Sequence, residues 1–152
     1  IHERLVGSEM CIRDSYVIIH DAARPIVYQD IIDDLIEKAK ANGNACSAVS
    51  CYETVVLTEN RTSGKEQIDR NRIVRVQTPQ CYNYGLIKSL YEKADKDNRE
   101  DFVYANILAM NYGVEIYFSK GTNNNIKITT KDDIALFRAL LYYINNAEGE
   151  EN

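Results

Sequence analysis

The stretch YVIIHDAARP, residues 16–25, decides how this chain folds. Apolar and aromatic residues fill positions 16–19 and lead directly into His20 and Asp21. Such an uninterrupted run predicts a strand that is buried on both faces. Ligands of open α/β sheets bind beyond the carboxyl ends of the strands. We therefore expect Asp21 and Arg24 to lie at the active edge of a sheet.

Helices and strands alternate after this first strand. Apolar residues recur at helical spacing over 30–43, where Gly43 ends the pattern, and ACSAVS (45–50) predicts a second buried strand parallel to the first. Further predicted elements are a strand over 73–80 that Pro79 ends, helices over 84–94 and 102–111, a strand over 114–118, an extended piece over 126–129, and a last helix with a Thr130–Asp133 capping box. This alternation predicts an α/β fold with a mostly parallel, helix-covered sheet.

Residues 52–72 differ in kind from the rest of the chain. A short β-prone piece at 54–58, a polar tip containing Gly64 and a return through Ile68 predict a hairpin that stands away from the core. A two-stranded hairpin with so little apolar surface is marginal on its own. We therefore expect it to pack against another surface, and a partner subunit is the simplest candidate.

Composition excludes several classes of function. The 152 residues, 45% of them hydrophobic, fit one domain with its own core, and the net charge of −5 argues against a general nucleic-acid binder. Four cysteines without a CxxC pair and only two histidines argue against a zinc site and favour reduced thiols. No long apolar run indicates a membrane span or a signal peptide, so we expect a cytoplasmic protein.

Asp21 and Arg24 carry the strongest chemical signal. A carboxylate at the carboxyl end of a strand can hold a divalent metal beside phosphates, and a guanidinium three residues later offers a planar fork for phosphate oxygens. The alternative is that Asp21 caps a turn and pairs with Arg24 locally. For His20, packing or a bond to the backbone is the commoner role than acid–base work.

Several motifs, in order along the chain, resemble the 2-C-methyl-D-erythritol 4-phosphate cytidylyltransferases and their ribitol-5-phosphate relatives. They are HDAARP (20–25), the hairpin pairs at 53–54 and 69–70, QTPQ (77–80) and NNNIKITT (123–130). The resemblance implies a Rossmann-like, three-layer nucleotidyltransferase fold with a protruding β-arm. It also implies transfer of CMP from CTP to a polyol phosphate with release of pyrophosphate, Mg²⁺ as the metal, and a homodimer formed through the arm at 52–72.

Carried over position by position, the resemblance assigns roles around the first strand. Asp21 corresponds to the ligand of the catalytic metal and Arg24 to a residue beside the substrate. Lys127 corresponds to the catalytic lysine that contacts phosphate near the metal, and Thr78 to the threonine near the substrate phosphate. Asn124 stands where the family often has an aspartate, so it could coordinate only through a neutral amide oxygen.

On the arm, the resemblance places Thr54 and Arg70 at positions that reach into the neighbouring subunit's site and hold the polyol phosphate. Thr54 can donate a hydrogen bond and Arg70 can form a bidentate clamp. Glu53 and Val56 depart from the aspartate and lysine usual in the family. These two differences leave the identity of the polyol open.

Ala22 and Ala23 fall at nucleotide-binding positions of the resembled family. They favour methylerythritol phosphate mildly, because the ribitol enzymes look more like HDSVRP at this point. The alternatives are therefore a ribitol-5-phosphate cytidylyltransferase for cell-surface polymer synthesis, a non-catalytic dimerising module, and a nucleotidyltransferase that uses a sugar phosphate and a different base. The preferred interpretation is an isoprenoid-precursor enzyme of the methylerythritol phosphate pathway.

The two ends of the chain carry their own expectations. Residues 1–15 have no clear period and resemble a translated sequencing adapter, so we expect a non-native leader. Residues 16–146 are then the C-terminal part of a cytidylyltransferase domain, and 147–152 are an acidic tail. The seven glycines form no phosphate-binding loop. We therefore expect the N-terminal portion of the fold to be missing and this fragment to have little or no activity.

Overall fold

The computed structural model describes residues 15–99 and 104–147. The predicted leader and the predicted acidic tail lie almost entirely outside these ranges. The elements are β1 (Tyr16–Ile19), α1 (Gln29–Asn42), β2 (Asn44–Ser50), β3 (Val55–Leu57), β4 (Glu66–Ile68), a 3₁₀ turn (Arg70–Arg72), β5 (Val74–Asn83), α2 (Tyr84–Lys96), α3 (Ala105–Asn111), β6 (Phe118–Lys120) and α4 (Lys131–Ala147).

A four-stranded sheet of order β1-β5-β2-β6 organises the described chain. Strands β1 and β2 are both antiparallel to β5, and β2 is parallel to β6. Hence β1, β2 and β6 run in one direction and β5 runs against them. The predicted α/β class is confirmed, and β1 and β2 do share a direction, but β5 separates them in the sheet.

The core lies on both faces of this sheet. On one face, side chains of the sheet pack with α2 and α3 in a cluster of Cys46, Tyr82, Ile87, Leu90, Ala94, Ala105, Leu108 and Ala109. On the other face, Leu35 and Ala39 of α1 pack against Ala45 and Cys81. Neighbouring residues of a strand point to opposite faces, which is why Ala45 and Cys46 belong to different clusters. The predicted three-layer arrangement is confirmed.

Helix α1 follows its sequence pattern closely. Its buried residues, Ile31, Leu35 and Ala39, recur at every fourth position and form the stripe that faces the sheet. The helix ends where Gly43 adopts a φ of 86°, and the Gly43 N–H donates to the Ala39 carbonyl at 2.7 Å. Glycine adopts this left-handed conformation without the steric cost of a Cβ atom. The predicted helix over 30–43 is confirmed.

Strand β5 does not end at Pro79, as the sequence predicted, but continues to Asn83. Its register with β2 shifts between the pairs Cys46–Gln80 and Ala48–Val76. On the opposite side, the pairing with β1 reaches only as far as Gln80. Pro79 therefore occupies an irregular point of the ladder where no backbone donor is needed, and a strand tolerates proline at such a point.

The predicted strand over 114–118 is misplaced, because the structure assigns the strand to Phe118–Lys120. Just before β6, the side chain of Asn44 forms the hydrogen bonds that the backbone of a neighbouring strand would otherwise form. Asn44 Nδ2 donates to the Glu115 carbonyl at 2.9 Å, and Asn44 Oδ1 accepts from the Tyr117 N–H at 3.3 Å. These bonds satisfy the backbone without a regular ladder. No strand is assigned to the predicted extended piece over 126–129 either.

The described helices on the carboxyl-terminal side start close to their predicted positions. Helix α2 begins at Tyr84, and the described part of the helix predicted over 102–111 is α3, since residues 102 and 103 lie outside the described ranges. At the start of α4, Asp133 Oδ2 accepts from the Thr130 N–H at 2.7 Å and from the Thr129 N–H at 2.9 Å. Backbone bonds of this kind lower the pKa of Asp133 to about 2. The capping box is confirmed.

The predicted arm forms its own two-stranded sheet. Strands β3 and β4 pair in antiparallel register from Val55–Ile68 to Leu57–Glu66. None of its residues belongs to either core cluster, and Val56 and Leu57 are exposed. The arm therefore protrudes, as predicted. No helix among the described residues has the length and apolar character that crossing a membrane requires.

An acidic side chain on α1 anchors the end of the sheet. Asp34 Oδ2 accepts from the Lys120 N–H at 2.6 Å, and its Oδ1 contacts Lys38 Nζ at 3.1 Å. The Lys120 N–H is the largest cause that holds the pKa of Asp34 below its ordinary value. Lys120 Nζ also pairs with Asp30. Helix α1 thus holds the point where the chain leaves β6 for the loop that follows.

Truncation of the core stripe should cost far more stability than truncation of the C-terminal helix surface. Leu35 is fully buried, whereas Leu136 on α4 is 56% exposed. We expect Leu35→Ala to lower the free energy of unfolding by about 2–5 kcal/mol through lost burial and a residual cavity. The matched control Leu136→Ala should change it by less than about 0.5 kcal/mol. Urea unfolding followed by circular dichroism measures both, and equal effects would contradict this core assignment.

The Asp34 anchor should make stability depend on acid. Because the pKa of Asp34 is lower in the folded chain, its contribution is complete above the pKa of the unfolded state and disappears as pH falls through the folded value. We expect Asp34→Asn to be less stable than the natural sequence at pH 7, with a difference that shrinks towards pH 3. Urea unfolding at both pH values tests this. A difference that does not change with pH would show that the carboxylate charge plays no part.

Candidate active site

The site lies where β1, β5 and the loop after β6 meet. Asp21 and Arg24 follow the carboxyl end of β1, Thr78 lies within β5, and Lys127 lies between β6 and α4. A cleft of about 260 Å³ is lined by Asp21, Arg24, Val76, Gln77, Thr78, Gln80, Tyr104, Asn106, Ile107 and Lys127. The structure therefore brings together four residues that the sequence predicted for one site: Asp21, Arg24, Thr78 and Lys127.

One carboxylate oxygen is the centre of this cluster. Asp21 Oδ2 lies 3.2 Å from Lys127 Nζ and 3.3 Å from Arg24 Nε. The side chains of Arg24 and Asp21 are only 14% and 23% exposed, so water screens their interaction less than it would at an open surface. A pair of cations on one anion leaves a local positive excess. Such an excess suits a phosphate-bearing ligand.

Asn125 ties the two sides of the cluster together. Its carbonyl accepts a hydrogen bond from Arg24 Nη1 at 2.6 Å, and its Nδ2 donates to the Thr78 carbonyl at 2.7 Å. The Asn125 side chain is almost fully buried, and its Oδ1 finds no hydrogen-bond partner among the described residues. The guanidinium of Arg24 is thus fixed by Asp21 at one end and by the Asn125 backbone at the other.

His20 closes a ring of hydrogen bonds beneath the cluster. His20 Nε2 lies 2.8 Å from the Arg24 carbonyl, and His20 Nδ1 lies 3.1 Å from Thr78 Oγ1. A carbonyl only accepts, so Nε2 carries the proton, and in a neutral imidazole Nδ1 then accepts from the Thr78 hydroxyl. Thr78 Oγ1 in turn accepts from the Asp21 N–H at 2.9 Å. His20 is bonded to the backbone, as expected, and the ring fixes the turn that presents Asp21.

Ala22 and Ala23 form the tip of that turn. The Arg24 N–H donates to the Asp21 carbonyl at 2.9 Å, and the Ala23 carbonyl accepts from the Ile128 N–H at 2.8 Å. This second bond attaches the turn to the segment that carries Lys127. The nucleotide-binding role of the two alanines stays a prediction.

The arm residues are not brought into this cleft. Thr54 is exposed just before β3, and Arg70 lies in the exposed 3₁₀ turn, where its Nη1 donates to the Tyr52 carbonyl at 3.3 Å. Asn124 also points elsewhere, with its Nδ2 at 3.4 Å from the Tyr28 hydroxyl. Within a single chain, the predicted acceptor-binding residues of the arm and the predicted phosphate cluster are separate.

The cleft includes residues that the sequence did not single out. Tyr104 and Asn106 come from the start of α3, and Lys127 Nζ lies 5.5 Å from the centroid of the Tyr104 ring. Asn106 is only 7% exposed, although it is polar. The only sequence signal at this position is a polar residue within the apolar stretch ANILAMN (105–111), and the same stretch also contains Asn111, which is exposed, so the signal does not single out Asn106.

The residues present fit a magnesium ion that takes most of its coordination from phosphate oxygens and water and little from protein side chains. Among the described residues, no group of three or more His, Cys, Asp or Glu side chains is arranged around a metal position. Magnesium beside phosphates commonly takes only one or two carboxylates and completes its shell with phosphate oxygens and water. Both cations contact Asp21 through Oδ2, and no described residue donates to Asp21 Oδ1. Asp21 would hold the ion through that second oxygen.

A larger hollow of about 480 Å³ lies at the tip of the arm and shares no lining residue with the cleft. Its polar side chains satisfy one another: Asn60 Oδ1 accepts from the Thr62 N–H at 2.9 Å and from the Ser63 N–H at 3.0 Å. These are the bonds of a polar turn. We therefore place the site at the cleft that contains Asp21.

Comparison with known proteins identifies the family. The family model described as "IspD: 2-C-methyl-D-erythritol 4-phosphate cytidylyltransferase" matches residues 8–143. This chain belongs to the IspD family. The resemblance drawn from HDAARP, QTPQ and NNNIKITT is thus confirmed, and the family is one of cytidylyltransferases.

Relatives within the IspD family carry two names. The chain is 38% identical over 136 residues to a ribitol-5-phosphate cytidylyltransferase of Lacticaseibacillus paracasei, covering 88% of this chain and 58% of the relative. It is 35% identical over 140 residues to a 2-C-methyl-D-erythritol 4-phosphate cytidylyltransferase of Clostridium novyi, covering 91% of this chain and 60% of the relative.

Solved IspD structures share the fold. The crystal structure of 2-C-methyl-D-erythritol 4-phosphate cytidylyltransferase from Thermus thermophilus superposes with a TM-score of 0.75 at 26% identity, over 84% of this chain and 62% of that one. An IspD structure from Francisella tularensis gives a TM-score of 0.72 at 29% identity, over 84% and 60%. The chain thus spans about three fifths of the length of its IspD relatives.

Gly121 should be essential for the position of Lys127. A Cβ atom at Gly121 would lie 2.6 Å from the Ala48 carbonyl oxygen and 2.9 Å from Gln77 Oε1, so the loop would have to move. We expect Gly121→Ala to lower the free energy of unfolding by about 1–3 kcal/mol and to shift the amide resonances of Asp21 and Ile128. Urea unfolding and ¹H–¹⁵N spectra measure the two effects.

The control for Gly121→Ala is Ser119→Ala, two residues away in β6. The Ser119 hydroxyl is buried and has no hydrogen-bond partner among the described residues, so its removal should leave stability unchanged or slightly higher. Unaltered Asp21 and Ile128 resonances in Gly121→Ala would contradict the close approach.

Proposed function

We propose that this chain provides the metal- and phosphate-binding part of a cytidylyltransferase site, at which CMP passes from CTP to a polyol phosphate and pyrophosphate leaves. The observation that carries the proposal is the convergence of Arg24 and Lys127 on one oxygen of Asp21, at the carboxyl end of β1. Membership of the IspD family supports the same reaction.

The proposed reaction needs no protein nucleophile. A phosphate oxygen of the polyol phosphate attacks the α-phosphorus of CTP, a new P–O bond forms, and the bond to the β-phosphate oxygen breaks to release pyrophosphate. Catalysis of such a transfer depends on positioning and on neutralising negative charge. Arg24 and Lys127 supply fixed positive charge, and Asp21 orients both. Mg²⁺ held by Asp21 would neutralise further charge on the phosphates.

The preferred acceptor is 2-C-methyl-D-erythritol 4-phosphate, which would place the enzyme in isoprenoid precursor synthesis. Ala22 and Ala23 support this choice, because the resembled ribitol enzymes have HDSVRP at the same point. Ribitol 5-phosphate is the second candidate, supported by the match over 136 residues to the Lacticaseibacillus paracasei relative, although a Clostridium botulinum relative named for methylerythritol phosphate is also 38% identical. Comparing the affinities of this chain for the two phosphates separates them.

A homodimer completes the proposed site. Thr54 and Arg70 lie outside the cleft of their own chain, and the arm that carries them has no core of its own. A second copy whose arm lies over the cleft would add a hydroxyl and a guanidinium to the acceptor side. A cytoplasmic location, where CTP is available, agrees with this proposal.

Removal of the Lys127 charge tests the proposed phosphate site. We expect Lys127→Met, which keeps the length of the side chain, to weaken binding of both polyol phosphates by about 10- to 100-fold, because a hydrogen bond to a charged group contributes about 1.5–3 kcal/mol. Lys131→Met is the matched control, since Lys131 is exposed on α4 and does not line the cleft. Isothermal titration calorimetry measures the affinities. Equal losses in the two variants would indicate only a general effect of charge and would contradict the site.

A further inference from the structure

We propose that Asn106 and Tyr104 recognise the hydroxyl-bearing carbon chain of the acceptor, next to the phosphate at Lys127. The inference rests on the proposed function and adds residues that read the acceptor beyond its phosphate. In the described chain, both residues come from the start of α3 and line the same cleft as Lys127.

Asn106 is a largely buried residue whose side-chain amide has no hydrogen-bond partner among the described residues. It is only 7% exposed, and its side chain makes no hydrogen bond to a described residue. Its amide atoms are not among the fully buried polar atoms that lack a partner in the described chain, so they remain open to the cleft that Asn106 lines. A ligand in the cleft would supply the missing partner. Because a carboxamide both donates and accepts, it matches an alcohol, which also does both.

The other amides of the cleft are already engaged. Gln80 Oε1 accepts from the Tyr82 hydroxyl at 2.7 Å, and Gln77 Nε2 donates to the Thr122 carbonyl at 3.0 Å. Gln80 bonds within β5, and Gln77 joins β5 to the loop after β6. Of the three amide side chains that line the cleft, Asn106 is thus the one with both functions available to a ligand.

Tyr104 provides an aromatic surface in the same cleft as Asn106, near the proposed phosphate-binding cation Lys127. Its ring centroid is 5.5 Å from Lys127 Nζ, and the side chain is 47% exposed, so one part of the ring faces open space. An aromatic ring packs well against C–H groups. A polyol phosphate could therefore place its phosphate at Lys127, its carbon chain along Tyr104 and a hydroxyl at Asn106.

The test compares a polyol phosphate with inorganic phosphate, which lacks the carbon chain. We expect Asn106→Ala to weaken binding of ribitol 5-phosphate and of 2-C-methyl-D-erythritol 4-phosphate by about 3- to 10-fold, the effect of one neutral hydrogen bond. Its affinity for inorganic phosphate should not change. Tyr104→Ala should act in the same selective way. Isothermal titration calorimetry on the full 152-residue chain provides all of these affinities.

The control variant is Asn111→Ala at the other end of α3. Asn111 is exposed, and its Nδ2 donates to the Ile107 carbonyl of its own helix. Asn111→Ala should leave the affinities for polyol phosphate and for inorganic phosphate unchanged. Thermal unfolding of each variant tests whether α3 is intact. Equal weakening of polyol phosphate and inorganic phosphate by Asn106→Ala would overturn the inference, and so would no weakening of either.

The outcomes also separate this inference from the proposed function. If the natural sequence binds inorganic phosphate and polyol phosphates equally well, the phosphate site stands and the acceptor contacts at Asn106 and Tyr104 are wrong. If it binds neither phosphate, the proposed function fails and the inference fails with it. Selective loss in Asn106→Ala, with Lys127→Met weakening every phosphate ligand, supports both.

Discussion

The site depends on one partly buried carboxylate oxygen shared by two cations. Asp21 Oδ2 joins the turn after β1 to Arg24 and to Lys127, which lies more than one hundred residues later in the chain. Removing one member of such a cluster leaves the others with uncompensated charge in a poorly screened place. His20, Thr78 and Asn125 each form a hydrogen bond with the turn that carries Asp21 and Arg24, and these bonds hold the cluster in position.

The antiparallel strand β5 makes that arrangement possible. It lies between β1 and β2, so its middle passes directly beside the carboxyl end of β1 and brings Thr78 to the Asp21 N–H. The irregular ladder at Pro79 allows this part of β5 to serve the site, while Cys81 and Tyr82 just beyond it remain in the core clusters. The same strand thus contributes residues both to the core clusters and to the candidate active site.

The sequence predicts the elements whose signals are local. Helix α1 is identifiable because Ile31, Leu35 and Ala39 carry the period and Gly43 ends it, and the cap of α4 because Thr130 and Asp133 are neighbours in sequence. The α/β class and the family follow from the order of elements and motifs. The boundary of β6 could not be predicted, because it depends on the side chain of Asn44, about seventy residues earlier.

The site shows the same division between local and distant signals. Asp21, Arg24, Thr78 and Lys127 belong to compact motifs, and the structure brings all four to one cleft. Asn106 could not be singled out because its burial arises when α3 packs against the sheet, and a single asparagine in an apolar stretch has many possible explanations. The continuation of β5 beyond Pro79 is likewise hidden from the sequence, since the register shift involves a different strand.

The separate sheet of the arm has a consequence for how such a protein can change over time. Because no residue of β3 or β4 contributes to either core cluster, substitutions there cost the domain little folding free energy. Positions such as Glu53 and Val56 can vary while the core stays as it is. On the proposed function, a lineage could move from one polyol to another by altering the arm, and it would keep the Asp21 cluster and the sheet that supports it. The fold thus separates the arm, whose residues can vary, from the Asp21 cluster and its supporting sheet, whose residues must be retained.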